Sequence, residues 1–221
     1  IAQHPLVRKI SFTGGTSTGR HLAHIAAEKL ITTSLELGGK SPTIVLPDAD
    51  LEMAAKGIAY GIFSSAGQAS IAGSRLFIHA SIYEKFLARL VEITQGLRVG
   101  HPEAPHVHMG SLINEKHLAS VHRYVELAKA EGGTVVIGGE AITEGECAKG
   151  SFYKPTIITG LDNRAQTCQE EIFGPVLVVM SYENEQDLIQ QANDSCFGLA
   201  AGIWTENYRK AWQIARALEV G

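Results

Sequence analysis

Lys9 to Thr13 (KISFT) alternates polar and apolar residues and is rich in β-formers, which predicts a strand. Gly14-Gly15-Thr16-Ser17 breaks that pattern. Leu22, Ile25, Ala26 and Leu30 then recur at helical spacing, so a helix is expected. Ile31 to Leu37 reads as a second strand, closed by Gly38-Gly39, and Thr43 to Leu46 as a short third one. Pro47-Asp48-Ala49-Asp50 offers two aspartates able to cap a helix running from Leu51 to about Ser64. Arg75 to His79 predicts a strand and Ile82 to Ile93 an amphipathic helix.

The stretch from Arg98 to Gly110 is polar and turn-rich, with Pro102 and Pro105. Beyond it the pattern predicts a helix over Glu115 to Ala130 and a strand over Thr134 to Ile137 between glycine pairs. Gly160 to Gln169 reads as a loop, and Pro175 to Tyr182 as a buried strand. Helices are expected over Glu185 to Ala192 and Tyr208 to Leu218, flanking a strand at Leu199 to Trp204. Strands alternating with helices indicate an α/β fold with a largely parallel sheet flanked by helices.

Composition narrows the class. With 221 residues, 45% hydrophobic and 19% charged, the chain has the make-up of a soluble globular protein rather than a disordered or fibrous one. No apolar run approaches the ~20 residues of a membrane-spanning helix. A net charge of −4 gives no broad basic surface, so neither nucleic acid nor a membrane is expected as a partner. The three cysteines, Cys147, Cys168 and Cys196, fit neither a disulfide framework nor a CxxC site, so reduced thiols in a cytoplasmic compartment are expected. The chain opens on Ile1 and its first strand follows almost at once, so it is expected to be a piece of something longer.

Four stretches could carry chemistry. FTGGTSTG (Phe12 to Gly19) lies between a strand and a helix, where small residues let a phosphate approach helix N–H groups, although a plain glycine-rich turn reads equally well. Glu36 sits between Leu35 and Leu37. If buried there, its pKa would rise toward that of a general base, whereas on an edge strand it points at water. Ser70, in GQASIAGSR, has its flanking glycines three residues away on each side, so it is no GxSxG nucleophile and reads as a turn serine. Glu170-Glu171-Ile172-Phe173 places two carboxylates and an aromatic before a buried strand, suited to a ribose and a flat ring, or to a charged loop with one core Phe. His101, His106 and His108 lie with Glu103 in a proline-punctuated loop and have no helical i, i+4 spacing, so no metal site is expected.

Taken in order, FTGGTSTG, LELGGKSP, DADLEMA, GQASIAGSR, EEIFGPV and FGLAAGIW closely resemble the NAD(P)-dependent aldehyde dehydrogenase superfamily. The likeness runs from about His4 to Gly221. It implies oxidation of a small-molecule aldehyde to a carboxylic acid with NAD or NADP, through a cysteine-bound thiohemiacetal and thioester. It assigns Glu36 as the general base. It sets Gly14, Gly15 and Gly19 near the pyrophosphate, Leu37 beside the nicotinamide, Glu171 on the ribose and Phe173 at the nicotinamide end. It also implies a homo-oligomer. Residues 1–37 look like the closing strand-helix-strand of a Rossmann-like cofactor domain, and residues 38–221 like most of the catalytic domain.

Two departures matter. The family commonly has Ser where this chain has Gly15. In the family pattern GQxCxxGxR the fourth residue is the catalytic cysteine, and here it is Ser70. A hydroxyl is far harder to ionise than a thiol of pKa ~8.5, so this chain is expected to be inactive as it stands. The alternatives are a non-catalytic relative kept for binding or assembly and, more remotely, a serine hydrolase using Ser70.

Overall fold

The computed structural model describes residues 1–221. They form two compact units, Ile1–Gly39 and Lys40–Gly221; the boundary expected after residue 37 falls two residues earlier.

The first unit is a strand-helix-strand. Strand β1 (Lys9–Thr13) pairs in parallel with β2 (Thr32–Glu36), in register from Lys9 opposite Thr32 to Thr13 opposite Glu36. The connecting helix α1 (Thr16–Lys29) starts at the glycine break and ends on Leu30, whose left-handed backbone (φ 56°) turns its N–H back onto the Ala26 and Ala27 carbonyls. Leu30, expected on the apolar face of the helix, is therefore its cap and is exposed.

The second unit holds a six-stranded sheet in the order β5-β6-β7-β4-β3-β8. Its elements are β3 (Pro42–Val45), α2 (Leu51–Phe63), β4 (Arg75–His79), α3 (Tyr83–Gln95), α4 (Glu115–Ala130), β5 (Thr134–Ile137), β6 (Thr156–Thr159), α5 (Gln166–Gln169), β7 (Val176–Tyr182), α6 (Glu185–Asn193), β8 (Gly202–Trp204) and α7 (Tyr208–Ala217). Neighbouring strands run parallel except β5 and β6, which are antiparallel with a register shift between Val135 and Ile137. The central strands are buried along nearly their whole length, as strands covered by helices on both faces must be.

Helix α2 presents Ala54, Ala55, Ile58, Ala59, Ile62 and Phe63 to that core, and the Asp50 carboxylate accepts the Met53 N–H at 3.0 Å to cap its start. Burial of each large side chain, such as Ile62 or Phe63, contributes ~1.5–3 kcal/mol. Three elements depart from the sequence pattern. Strand β6 is not predicted, the stretch read as a loop from Gly160 to Gln169 ends in the single helical turn α5, and the strand expected from Leu199 is ordered as a strand only from Gly202. No helix is long and apolar enough to cross a membrane.

The parallel order has one consequence for chemistry. Ser41, the 64–74 loop, Gly174-Pro175 and Ala200-Ala201 precede β3, β4, β7 and β8, so they gather at the amino ends of the strands. An open α/β sheet more often places ligands at the carboxyl ends.

Candidate active site

In the first unit, the glycine-rich turn is drawn against the end of β2. The Gly14 N–H donates to the Glu36 carbonyl at 3.0 Å. Gly19 lies under Leu37: a Cβ there would come 2.4 Å from Leu37 Cδ2, so the helix can approach only because no side chain intervenes. Gly15 is the N-cap of α1. It brings no side-chain cap, and the first turn holds no acidic residue. The first-turn N–H groups thus lack a side-chain acceptor, and nothing beyond the adjoining residues lies within 4 Å of where a Gly15 Cβ would be. An anion such as a phosphate is the natural complement to such a helix start.

Glu36 is exposed, as are Thr32, Thr33 and Ser34 on the same strand. Of the two readings that the sequence left open for it, the structure has the water-facing one: β2 belongs to a two-stranded sheet, and only Leu35 of that strand turns partly inward.

In the second unit, Ser70 is half-buried in a turn between α2 and β4. Three successive residues upstream, Ser65 (φ 55°), Ala66 (φ 53°) and Gly67 (φ 70°), take the left-handed conformation and fold the chain back from the end of α2. Gly67 passes so close to the turn before β7 that a Cβ would lie 2.0 Å from the Gly174 carbonyl oxygen. Gly174 in turn sits beneath Val121 of α4, whose Cγ2 would be 2.5 Å from a Cβ at that position. The Ser70 loop and the EEIFGPV segment are therefore interlocked, although about a hundred residues separate them along the chain.

Both carboxylates of EEIFGPV are engaged. Glu170 accepts from the Tyr124 hydroxyl at 2.6 Å and from Gln166 Nε2 at 2.9 Å. Burial, then that hydrogen bond, raises the Tyr124 hydroxyl above its ordinary pKa. Glu171 is half-buried beside it. Phe173 is 40% exposed, so it is not a core residue, and its backbone is left-handed (φ 57°).

Two buried basic residues that the sequence reading did not single out lie at this end of the sheet. Arg75, the residue that enters β4 from the Ser70 loop, is 1% exposed. Its guanidinium donates to the carbonyls of Lys40 (2.8 Å), Gln191 (3.1 Å) and Ala192 (2.8 Å) and to Asn163 Oδ1 (3.0 Å). Burial lowers its pKa to about 10, so it stays charged at neutral pH. Lys40, in LELGGKSP, is also 1% exposed, and its Nζ has no hydrogen-bond partner. Burial lowers its pKa to about 7. Their types alone would have put both on the surface.

Beside Ser70 opens a cleft of about 420 Å³. Its lining takes Ala69 and Ile71 but not Ser70 between them; Tyr60 and Ser64 come from α2 and its end, Ser41 from just before β3 and Trp204 from β8, and no charged side chain lines it. The cysteines lie elsewhere in chemistry: burial pushes the Cys168 thiol up to about 11, which keeps it protonated and inert. His101, His106 and His108 are exposed, and no group of three or more His, Cys, Asp or Glu side chains converges as metal ligands.

Comparison with known proteins covers both units. Among solved structures, the NAD+ complex of an aldehyde dehydrogenase from Bacillus cereus superposes with a TM-score of 0.96 at 41% identity, over 100% of this chain and 44% of that one. A betaine aldehyde dehydrogenase from Staphylococcus aureus in complex with NAD+ gives 0.97 at 38% identity, over 100% of this chain and again 44% of the other. The chain therefore spans less than half the length of these relatives. The sequence pattern of the aldehyde dehydrogenase family matches residues 1–221 from end to end. With motif order, sheet topology and superposition in agreement, this chain belongs to the aldehyde dehydrogenase family.

Proposed function

We propose that this chain contributes to the NAD(P)+-dependent oxidation of an aldehyde to a carboxylic acid, with the first unit as the end of a Rossmann-like cofactor domain and the second as the catalytic domain. The observation that supports this most strongly is the likeness, over both units, to aldehyde dehydrogenases solved with NAD+. The open, uncapped start of α1 suits the pyrophosphate, Glu171 a ribose hydroxyl, and the exposed ring of Phe173 the nicotinamide end. When bound, NAD(P)+ supplies the hydride acceptor.

The chain's own residues then have separate tasks. The Ser70 loop receives the aldehyde; the neighbouring cleft, lined by Ala69 and Ile71 and by no charged side chain, suits the tail of an uncharged substrate. The Ser70 position supplies the nucleophile, and its backbone N–H stabilises the oxyanion that forms on attack. Glu36 takes a proton from the water that hydrolyses the acyl intermediate. Being exposed, it has the water at hand.

With Ser70 in place, attack requires an alcohol rather than a thiol, and turnover is expected to be slow or absent. Ser70→Cys tests this, in the protein that carries this chain, by following NADH formation with a panel of uncharged aliphatic and aromatic aldehydes. The substitution should raise the rate by on the order of a hundredfold or more, about 3 kcal/mol in barrier. No NADH from any aldehyde would overturn the oxidation reading. Ser70 also favours a second reading, a non-catalytic relative kept for cofactor binding or assembly. Binding of NAD+ without turnover by Ser70→Cys would select it. The free thiols suit a cytoplasmic protein, and exposed Tyr60, Ile113 and Trp212 suit a homo-oligomer.

A further inference from the structure

The amino end of α4 grips both motifs that flank the nucleophile position. On one side, Gln68, two residues before Ser70, accepts the Ile113 N–H at 2.8 Å through Oε1. Its Nε2 donates to the carbonyls of Ser65 at 3.1 Å and Ser111 at 3.4 Å. On the other side, His117 Nε2 lies 2.7 Å from the Phe173 carbonyl oxygen, and the two rings meet edge-on with centroids 6.1 Å apart. A carbonyl can only accept, so His117 carries a proton on Nε2. The imidazole is itself set by the helix start, where Asn114 Oδ1 accepts the His117 N–H at 2.9 Å.

Phe173 needs such a hold. An aromatic residue with φ 57° sits in a conformation that costs ~1–3 kcal/mol and persists only where its surroundings impose it. Here Gly174 is pinned under Val121 on one side of it, and His117 holds its carbonyl. In return the Phe173 ring projects from the core instead of packing into it.

We propose that His117 is a positioning residue. By holding the Phe173 carbonyl, it keeps that ring presented to the nicotinamide end of the cofactor. Because Gly67 abuts Gly174, it also keeps the ring at a fixed distance from the Ser70 loop. This rests on the cofactor role proposed above for Phe173.

The test compares the native protein with His117→Ala and His117→Gln. Hydrogen–deuterium exchange is followed over residues 170–176, together with calorimetric titration by NAD+ and by ADP-ribose, which lacks the nicotinamide. His117→Ala should speed exchange in that segment and weaken NAD+ about tenfold, the scale of one lost hydrogen bond, while ADP-ribose binds as before. His117→Gln, whose amide N–H can reach the same carbonyl, should restore both. Unchanged exchange in His117→Ala overturns the hold on Phe173. Faster exchange with unchanged NAD+ affinity, or an equal loss for NAD+ and ADP-ribose, overturns the positioning role. A native protein that binds neither nucleotide overturns the cofactor reading and the positioning role with it, while exchange still decides whether His117 holds the turn.

Discussion

The two units keep themselves folded by different means. The buried apolar side chains of Ile1–Gly39 are Ile10, Ile25 and Ala26 alone. Lys40–Gly221 closes a core around β3, β4 and β7 that includes unbroken runs such as Val176–Met180. The first unit makes its chemistry from backbone: an open helix start, a glycine under Leu37, a carbonyl of Glu36 tied to Gly14. The second makes it from side chains locked by burial, with Arg75 and Lys40 as basic residues deep in the sheet. A unit with little core of its own can afford exposed functional groups, but its precision must come from backbone geometry. A unit with a dense core can hold side chains that would be prohibitive elsewhere.

The sharpest way to break this contrast is Arg75→Ala. It strands four buried acceptors at once, and we expect a loss on the order of 3–5 kcal/mol, read from urea unfolding. Exchange at the β1–β2 amides should be unaffected at low denaturant. A loss below ~1 kcal/mol would mean that Arg75 is not an anchor of the second unit.

Lys40→Met sharpens the contrast through pH. The Lys40 pKa is lowered from 10.5 to about 7 in the folded state, so between those values the unfolded chain binds more protons at this site. Native stability from this group therefore rises with pH across that window, by up to ~1.4 kcal/mol per unit. The cost is constant below about 7 and absent above 10.5. The neighbouring groups that bear on it are Cys168, Arg75, Glu171 and Glu170. The unfolding free energies of the native and Lys40→Met proteins should converge from pH 7 to 10. Parallel profiles would show that Lys40 is not charged at a cost in the fold.

The smallest effect belongs to the first unit. Gly15→Ser gives α1 a side-chain cap, worth a few tenths of a kcal/mol, about 0.3, and should slow exchange in its first turn. If nucleotide occupies that helix start, the same change alters NAD+ affinity more than it alters stability.

Much of this was legible in the chain, and the exceptions have causes. β4 and α4 are bounded where their patterns begin and end: RLFIH is a β-rich run closed by a turn, and Glu115 to Ala130 keeps its helical spacing over 16 residues. β5 and β6 are equally short, but β5 is bracketed by glycine pairs, whereas TIIT between Pro155 and Gly160 shows no alternation and owes its burial to pairing with β5 and β7. The antiparallel turn of β5 depends on a pairing partner that no local pattern names. At the site, Ser70 and Phe173 were located by motif. His117 was not, because its partner is a backbone carbonyl 56 residues away, which has no side-chain signature. Glu36 could be read either way, because flanking leucines suit a buried strand and an edge strand alike; its two-stranded sheet decides for exposure.

The run Ser65-Ala66-Gly67 carries a consequence for sequence drift. Three successive left-handed residues are a standing constraint on which amino acids lineages can accept there. Asn, Asp and Gly suit positions 65 and 66, while Val, Ile and Thr are excluded by their branched Cβ. Position 67 is narrower still, since even Ala would meet the Gly174 carbonyl. The nucleophile position can therefore exchange one small side chain for another with little cost to the fold, whereas the bend that presents it cannot wander.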